Sequence, residues 1–167
     1  MSLLCCACAP ALDWRSMTLV GTPLQVSFPC RPTVMARDLK LLNTPLHWTL
    51  TACDASSMTF AVAWADVPDP ARTTPVLQAL ARQASENLRA APRAALAASV
   101  PGMTPNPSAQ WLLLQGHSPD GHAMTQRVLL FAHGLRVYQA SVLSSGADTE
   151  GDSAARSFFD ALRVQAP

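Results

Sequence analysis

The chain has 167 residues, of which 49% are hydrophobic and 14% charged, and its formal net charge is +1. This apolar content is enough for the core of one ordinary domain. The lysine and arginine residues are scattered, so the chain lacks the basic stripe that nucleic-acid binding requires, and nucleic acid is excluded as an expected partner. No apolar run approaches the roughly 20 residues of a membrane-spanning helix.

The first third of the chain predicts strands separated by turns. Residues 24–28 alternate apolar and polar side chains with a period of two, which is typical of a half-buried strand. Pro29 and Pro32 end it. Further strands or extended segments are predicted over residues 14–19, 33–42, 46–52 and 58–65.

A long helix follows. Thr74 is a suitable N-cap and Pro75 suits the first helical position. Apolar residues then recur at helical spacing over 77–88. The helix is predicted to end or kink before Pro92, because proline removes a hydrogen-bond donor. Residues 93–99 predict a short second helical piece.

Two long strands dominate the second half of the chain. A strand over 110–115 leads into residues 121–145, which predict a hairpin with a tight turn at His133-Gly134. The first hairpin strand is apolar on both faces, so both faces need a cover. Asp152 or Ser153 is predicted to cap a last helix. The buried stripe of that helix is predicted to be Ala155, Phe158, Phe159 and Leu162.

These elements predict an α+β fold: an antiparallel sheet of about six or seven strands with helices on both faces. Residues 14–167 form a single predicted domain, and residues 1–13 form an N-terminal tail.

The tail contains a cysteine cluster. Leu3 and Leu4 precede Cys5, Cys6 and Cys8, and the segment resembles the lipobox that ends a bacterial lipoprotein signal peptide. That resemblance implies lipidation at Cys8, which follows a small residue. The basic n-region and most of an apolar h-region are absent. Two other interpretations remain open: a disordered terminus with incidental thiols, and a soft-metal tag formed by CCxC.

Four segments together resemble a bacterial family of PsbP-like proteins, which includes DcrB-like envelope lipoproteins of unknown function. The segments are VSFPCRP, FAVAWADVPDP, DGHAMTQRVLLFAHGLRVYQASV and ARSFFDALRV, within residues 24–164. The resemblance implies an α/β/α sandwich built on an antiparallel sheet. Proteins of this fold have different functions, and no functional motif of theirs is matched, so no site residue is transferred to this chain.

Two further cysteines lie within the predicted domain. Cys30 follows one predicted strand and Cys53 ends another, so neighbouring strands could bring them together. In an oxidising compartment, their disulfide would close a loop of about 23 residues and stabilise the fold by about 3 kcal/mol. The alternative is a pair of buried, unreactive thiols.

Other candidate sites have simpler explanations. His117, Asp120 and His122 flank a turn and suggest a metal or hydrolase site, but their spacing is not one that metal sites favour. Asp66 and Asp69 suit capping and turn roles better than paired acid–base catalysis. Trp48 and Trp64 are predicted to lie in the core rather than to form a ligand platform.

The sequence contains no P-loop, nucleophile elbow, HExxH or Rossmann glycine pattern. We therefore expect a non-enzymatic envelope protein without a cofactor, facing the periplasm, with a lipid anchor as its only membrane attachment. Its expected partner is another envelope protein that it binds or stabilises. The first alternative is a cytosolic chaperone or adaptor for apolar helices of secreted proteins, with an exposed hydrophobic groove, dimerisation and reduced cysteines. A hydrolase or metal enzyme is the weaker alternative.

Overall fold

The computed structural model describes residues 12–146 and 149–165. They form two antiparallel sheets and two α-helices, so the class is α+β with sheet predominating. The helices are α1 (Thr73–Leu88) and α2 (Thr149–Asp160). The strands are β1 (Arg15–Thr18), β2 (Leu24–Phe28), β3 (Thr33–Leu41), β4 (Thr44–Ala55), β5 (Met58–Asp66), β6 (Pro92–Ala97), β7 (Gln110–His117), β8 (Ala123–His133), β9 (Arg136–Ser145) and β10 (Arg163–Val164).

The larger sheet has seven strands in the order β3-β4-β5-β9-β8-β7-β6. The predicted long hairpin is confirmed as β8 and β9, which lie inside this sheet. Gly134 and Leu135 form its turn, one residue later than predicted, and Gly134 has a φ of +58°. That left-handed conformation suits glycine because it has no Cβ to clash with the backbone. The strands at the two edges of the sheet are β3 and β6.

The smaller sheet has three strands in the order β1-β2-β10. The predicted strand count fits the larger sheet, but the expectation of one continuous sheet is wrong. β2 pairs with β1 on one side and with β10 on the other, where Leu24 lies opposite Val164. A two-residue strand such as β10 carries no periodicity that a sequence pattern can reveal. β10 forms because the side of β2 that is not paired with β1 is available for main-chain pairing.

The long helix is confirmed, but Thr74 as its N-cap is wrong. A 3₁₀ turn over Pro70–Arg72 precedes α1, and the backbone N–H of Ala71 donates to the Asp69 carboxylate at 2.7 Å. This turn allows the α-helix to begin at Thr73. At the other end, Arg89 is left-handed and closes the helix before Pro92, as predicted.

The short helix predicted over residues 93–99 is also wrong, because Pro92–Ala97 forms β6. It pairs antiparallel with β7, placing Leu96 opposite Trp111, and its register shifts between Pro92 and Ala94. The unpaired backbone groups at the edge of β7 accept this strand, and those hydrogen bonds override the helical preference of alanine.

Two apolar clusters make up the core. One combines β2 with Phe60, Phe131 and the α2 residue Phe158. The other combines α1 with Val128 and Leu130 of β8. Alternate residues of β8 enter different clusters, so its predicted alternation is confirmed. In α2, Ala155 and Phe158 are buried as predicted, whereas Phe159 is half-buried. Leu162 is also buried as predicted, but it lies two residues beyond the end of the helix.

Asp152 and Ser153 do not cap α2, because the helix begins at Thr149 and both lie within it. The Asp152 carboxylate instead accepts a hydrogen bond from Arg127, whose side chain is 8% exposed. An unpaired buried guanidinium would be costly, so this ion pair offsets the burial of Arg127 and links α2 to β8.

Tyr138, the only tyrosine in the chain, is fully buried on β9. Its ring stacks on Phe131 with centroids 4.8 Å apart, and its hydroxyl has no hydrogen-bond partner among the described residues. Burial raises the pKa of Tyr138 above its ordinary value of 10.0, and the positive charge of Arg136 opposes that rise. The folded protein therefore favours the neutral phenol.

This predicts a specific alkaline sensitivity. A folded-state pKa above the unfolded value gives stability that is complete below about pH 10 and is lost as the pH rises through the folded pKa. Tyr138→Phe should remove this loss and leave the free energy of unfolding at pH 7 unchanged or about 1 kcal/mol higher, since an unsatisfied hydroxyl disappears. Urea denaturation between pH 7 and 11 tests this expectation. Equal losses above pH 10 in both proteins would contradict it.

Candidate functional site

The residues predicted for lipidation and disulfide formation fall in different parts of the chain. Cys8 lies outside the described residues. Cys30 and Cys53 place their sulfur atoms 1.99 Å apart and their Cα atoms 6.0 Å apart, a geometry compatible with the predicted disulfide. Cys30 follows β2 and Cys53 lies in β4, so the bond links the two sheets.

His117, Asp120 and His122 are not assembled into a metal site. They lie at the exposed connection between β7 and β8, which is held by backbone hydrogen bonds from Ser118 N–H to the His122 carbonyl and from Gly121 N–H to the Ser118 carbonyl, both 2.9 Å. Within residues 12–146 and 149–165, no three His, Cys, Asp or Glu side chains are grouped so that they could hold a metal ion. Turn formation explains this motif.

Asp66 has a structural partner. Arg136 donates two hydrogen bonds of 2.6 Å to its carboxylate, and the guanidinium carbon lies 4.2 Å from the ring centroid of Trp64. The hydrogen bond to Asp66 raises the pKa of Arg136. Arg136 also donates to the Gly21 carbonyl, so it ties the β1–β2 turn to the larger sheet. Asp69 has the predicted capping role, because its carboxylate accepts from the Ala71 N–H. Asp66 does not cap an element or form a turn, and instead forms an ion pair with Arg136.

The most distinctive surface is a groove beside the edge strand β3. Eight of the nine β3 residues are exposed. Along one face of this strand lie Met35, Arg37 and Leu39, opposite Leu50, Trp48 and Leu46 of β4 respectively. Side chains alternate between the two faces of a strand, and residues directly opposite each other share a face. Leu46 and Trp48 cluster with α1, so Met35, Arg37 and Leu39 lie on the α1 face of the sheet.

The groove exists because α1 covers only part of this face. The helix packs on β7, β8 and β9. Its C-terminal end lies so close to β7 that a Cβ on Gly116 would come 2.1 Å from the Leu88 carbonyl oxygen. Glycine at this position permits that close approach. Met35, Arg37 and Leu39 of β3 are left exposed on this face.

The open space between α1 and β3 has a volume of about 290 Å³. Leu50 and Ala63 lie opposite each other in neighbouring strands at its floor. Met35 and Leu39 line the β3 side, and Leu80 lines the α1 side. The other lining residues are Arg37, Lys40, Leu41, Trp48, Gln83 and Gln139.

The groove is apolar at its floor and bordered by positive charge. Among residues 12–146 and 149–165, the charged residues that line it are Arg37 and Lys40, and none of its lining residues carries a carboxylate. Met35 and Leu39 are each about half exposed, at 49% and 48%. A surface of this type suits an apolar ligand segment that carries negative charge.

A second cavity, of about 520 Å³, lies between β7 and α2 and includes Trp111, Arg127 and Phe159 in its lining. The Nη1 atom of Arg127 is buried there without a partner among the described residues. Arg127 already binds Asp152, so this cavity is explained by the position of α2 against the sheet.

The sequence predicted an extended segment over 33–42, and the chaperone alternative included an exposed apolar groove, but no residue pattern placed that groove at this strand. The signal available was the mixture of exposed apolar residues with Arg37, Asp38 and Lys40, since charged side chains are typical of strands at sheet edges. Nothing in the sequence showed that α1 would leave this side of the sheet open.

The fold and groove define the chain as an antiparallel α+β domain with an open sheet edge. No protein-family description matches the chain, and no curated protein matches it. Among residues 12–146 and 149–165, no helix has both the length and the apolar character needed to span a membrane.

Proposed function

We propose that this chain is a non-enzymatic, PsbP-like envelope protein that binds another protein through the groove between α1 and β3. The observation that carries the proposal is the half-exposed pair Met35 and Leu39, which line an open apolar groove. Contiguous exposed apolar surface of this kind often marks a binding site.

The chemistry of the groove specifies the partner segment. Leu50, Ala63 and Leu80 offer apolar surface, and Arg37 and Lys40 offer positive charge at the border. We expect a short apolar segment with one or more Asp or Glu side chains. Burial of its apolar groups supplies the affinity, and the charges set its orientation.

The proposed location is the periplasm-facing envelope, with lipidation at Cys8 as the membrane attachment. The geometry of Cys30 and Cys53 supports an oxidising compartment, because disulfides persist there and are rare in the cytosol. The separate core clusters of α1 and α2 support the proposed α/β/α arrangement. Intact mass of the native protein tests the anchor: an unmodified Cys8 in the mature protein contradicts it.

The binding proposal predicts a face-specific effect on β3. A random peptide library should be selected on the wild-type protein, and the enriched peptides synthesised. We expect them to be apolar with acidic residues and to bind Met35→Glu at least about tenfold more weakly, because the new carboxylate enters the apolar groove and repels acidic ligands. Titration calorimetry measures the change.

Val34→Glu is the matched control. Val34 is 55% exposed on the same strand but does not line the groove, so binding should remain within about twofold of wild type. If no peptides are enriched, or if the selected peptides bind Met35→Glu as tightly as the wild type, the groove is not the binding site.

The cytosolic chaperone for apolar helices remains a second candidate, because the same groove could receive an apolar helix. It differs in predicting reduced cysteines in the cell. Trapping of thiols during cell lysis, followed by mass spectrometry of the Cys30 and Cys53 peptides, distinguishes the two candidates: alkylated cysteines favour the cytosolic chaperone.

A further inference from the structure

The edge strand β3 is unusually open for pairing. It runs for nine residues without a proline or a register shift, and Val34, Met35 and Leu39 are all about half exposed. The opposite edge, β6, contains Pro92 and an irregular register. Proline and bulges protect an edge from further pairing, whereas a long regular edge can accept another strand.

We propose that a second copy of this chain covers β3, through antiparallel pairing of the two β3 strands about a two-fold axis at Leu39. The charges of β3 favour this partner and this register, with the Asp38 carboxylate, which also contacts His47 Nδ1 of its own chain at 2.7 Å, placed opposite Lys40 of the second copy. A two-fold axis perpendicular to the sheet keeps the α1 faces of both copies on the same side. Each residue then lies opposite a residue of the second copy whose number is also odd, or also even.

Three central registers can be compared by the side chains that lie opposite each other. A two-fold axis at Arg37 places Arg37 opposite Arg37 of the second copy. An axis at Asp38 places two aspartates opposite each other. An axis at Leu39 pairs the two Leu39 side chains and places Asp38 opposite Lys40 of the second copy, twice. Like charges directly opposite destabilise a strand pair and opposite charges stabilise it, so the Leu39 register is favoured.

The backbone permits this register. Leu42 and Asn43 form a two-residue turn with φ values of 52° and 60°, which makes Leu41 and Thr44 the closing pair of the β3–β4 hairpin. Hydrogen bonding alternates along an antiparallel pair, so Asp38 and Lys40 direct their N–H and C=O groups to the open edge. In the Leu39 register these residues face each other and form about four main-chain hydrogen bonds.

This pairing extends the function of the groove without depending on it. Because the two-fold axis keeps the α1 faces on one side, the grooves of both copies open in the same direction. The two Leu39 side chains meet between them and join the grooves into one longer apolar surface. A single extended partner segment can then contact both copies.

A charge-exchange cycle tests the pairing. Wild type, Asp38→Lys, Lys40→Asp and the double variant are compared by sedimentation equilibrium over a range of protein concentrations. We expect wild type to dimerise and each single variant to dimerise at least about tenfold more weakly, because two unfavourable pairs form per interface. The double variant restores opposite charges and should return to within about threefold of wild type.

Cross-linking tests the register directly. In a protein whose Cys5, Cys6 and Cys8 are replaced by serine, Leu39→Cys should form an intermolecular disulfide under mild oxidation. Arg37→Cys, on the same face of β3, is the matched control and should not cross-link, because its pair would require a different axis. Circular dichroism spectra and melting temperatures matching wild type establish that the variants are folded.

Several results would overturn the proposal: a wild-type monomer at all concentrations, a double variant that stays as weak as the single ones, or faster cross-linking at residue 37 than at residue 39. Peptide binding to the groove is measured separately at concentrations where the protein is monomeric. If the protein does not dimerise, peptide binding can still be measured. If no peptide binds, dimerisation can still be measured.

Discussion

Phe158→Ala is expected to lower the free energy of unfolding by about 3–5 kcal/mol, the largest effect of a single substitution that we predict. Phe158 is fully buried in α2, and its ring centroid lies 5.5 Å from those of both Phe28 and Phe60. It thus joins α2 to a strand of each sheet. Alanine would remove most of these contacts and leave a cavity that neighbouring strands cannot fill. Urea denaturation followed by tryptophan fluorescence measures the loss.

Phe159→Ala provides the control in the same helix. Phe159 is only half-buried, although its ring centroid lies 5.4 Å from that of Phe158. Truncation should therefore cost clearly less, about 1–2 kcal/mol. Equal losses in the two variants would show that the junction around Phe158 is not packed as described.

Replacing Cys30 and Cys53 together by alanine is expected to destabilise the protein by about 3 kcal/mol. The two residues are separated by 23 positions, and a cross-link of this span restricts the unfolded chain by about that amount. The bond also joins the two sheets, so its loss should increase hydrogen exchange in the small sheet first. Denaturant titrations with and without reductant measure the effect in the wild-type protein.

Thiol counting provides the independent check. With Cys5, Cys6 and Cys8 replaced by serine, the oxidised protein in denaturant should show no free thiol, and reduction should expose both remaining cysteines. The alanine variant should be insensitive to reductant. Two free thiols without reduction, or an unchanged stability after reduction, would contradict the disulfide.

Much of the fold could be predicted from local sequence patterns. The alternating strands, the apolar central hairpin and the long helix follow from periodicity, because each buries a face that its own sequence defines. The ends of the helices were harder to predict, because contacts with neighbouring residues determine where each helix begins. Thr74 is a good N-cap by residue type, yet the turn capped by Asp69 starts the helix earlier. Asp152 is also a good cap by type, yet it pairs with Arg127.

The parts that the sequence did not reveal depend on tertiary context. The sequence of β6 is alanine-rich and locally favours a helix, but the segment pairs with β7 and forms the edge strand of the sheet. The groove depends on how far α1 extends across the sheet, and the C-terminal end of α1 packs closely on β7 at Gly116. For Cys30 and Cys53, residue types alone left a disulfide and free thiols as alternatives, because only the spacing between β2 and β4 brings the sulfur atoms together.

The position of β2 between β1 and β10 has a consequence for biogenesis. β1 and β2 leave the ribosome well before Val164, which lies opposite Leu24. Until α2 and β10 have been synthesised, one side of β2 has no neighbour, and the Phe28 ring lacks its contact with Phe158. A nascent chain that stalls before α2 therefore exposes an apolar strand, a form that chaperones and proteases can distinguish from the finished protein.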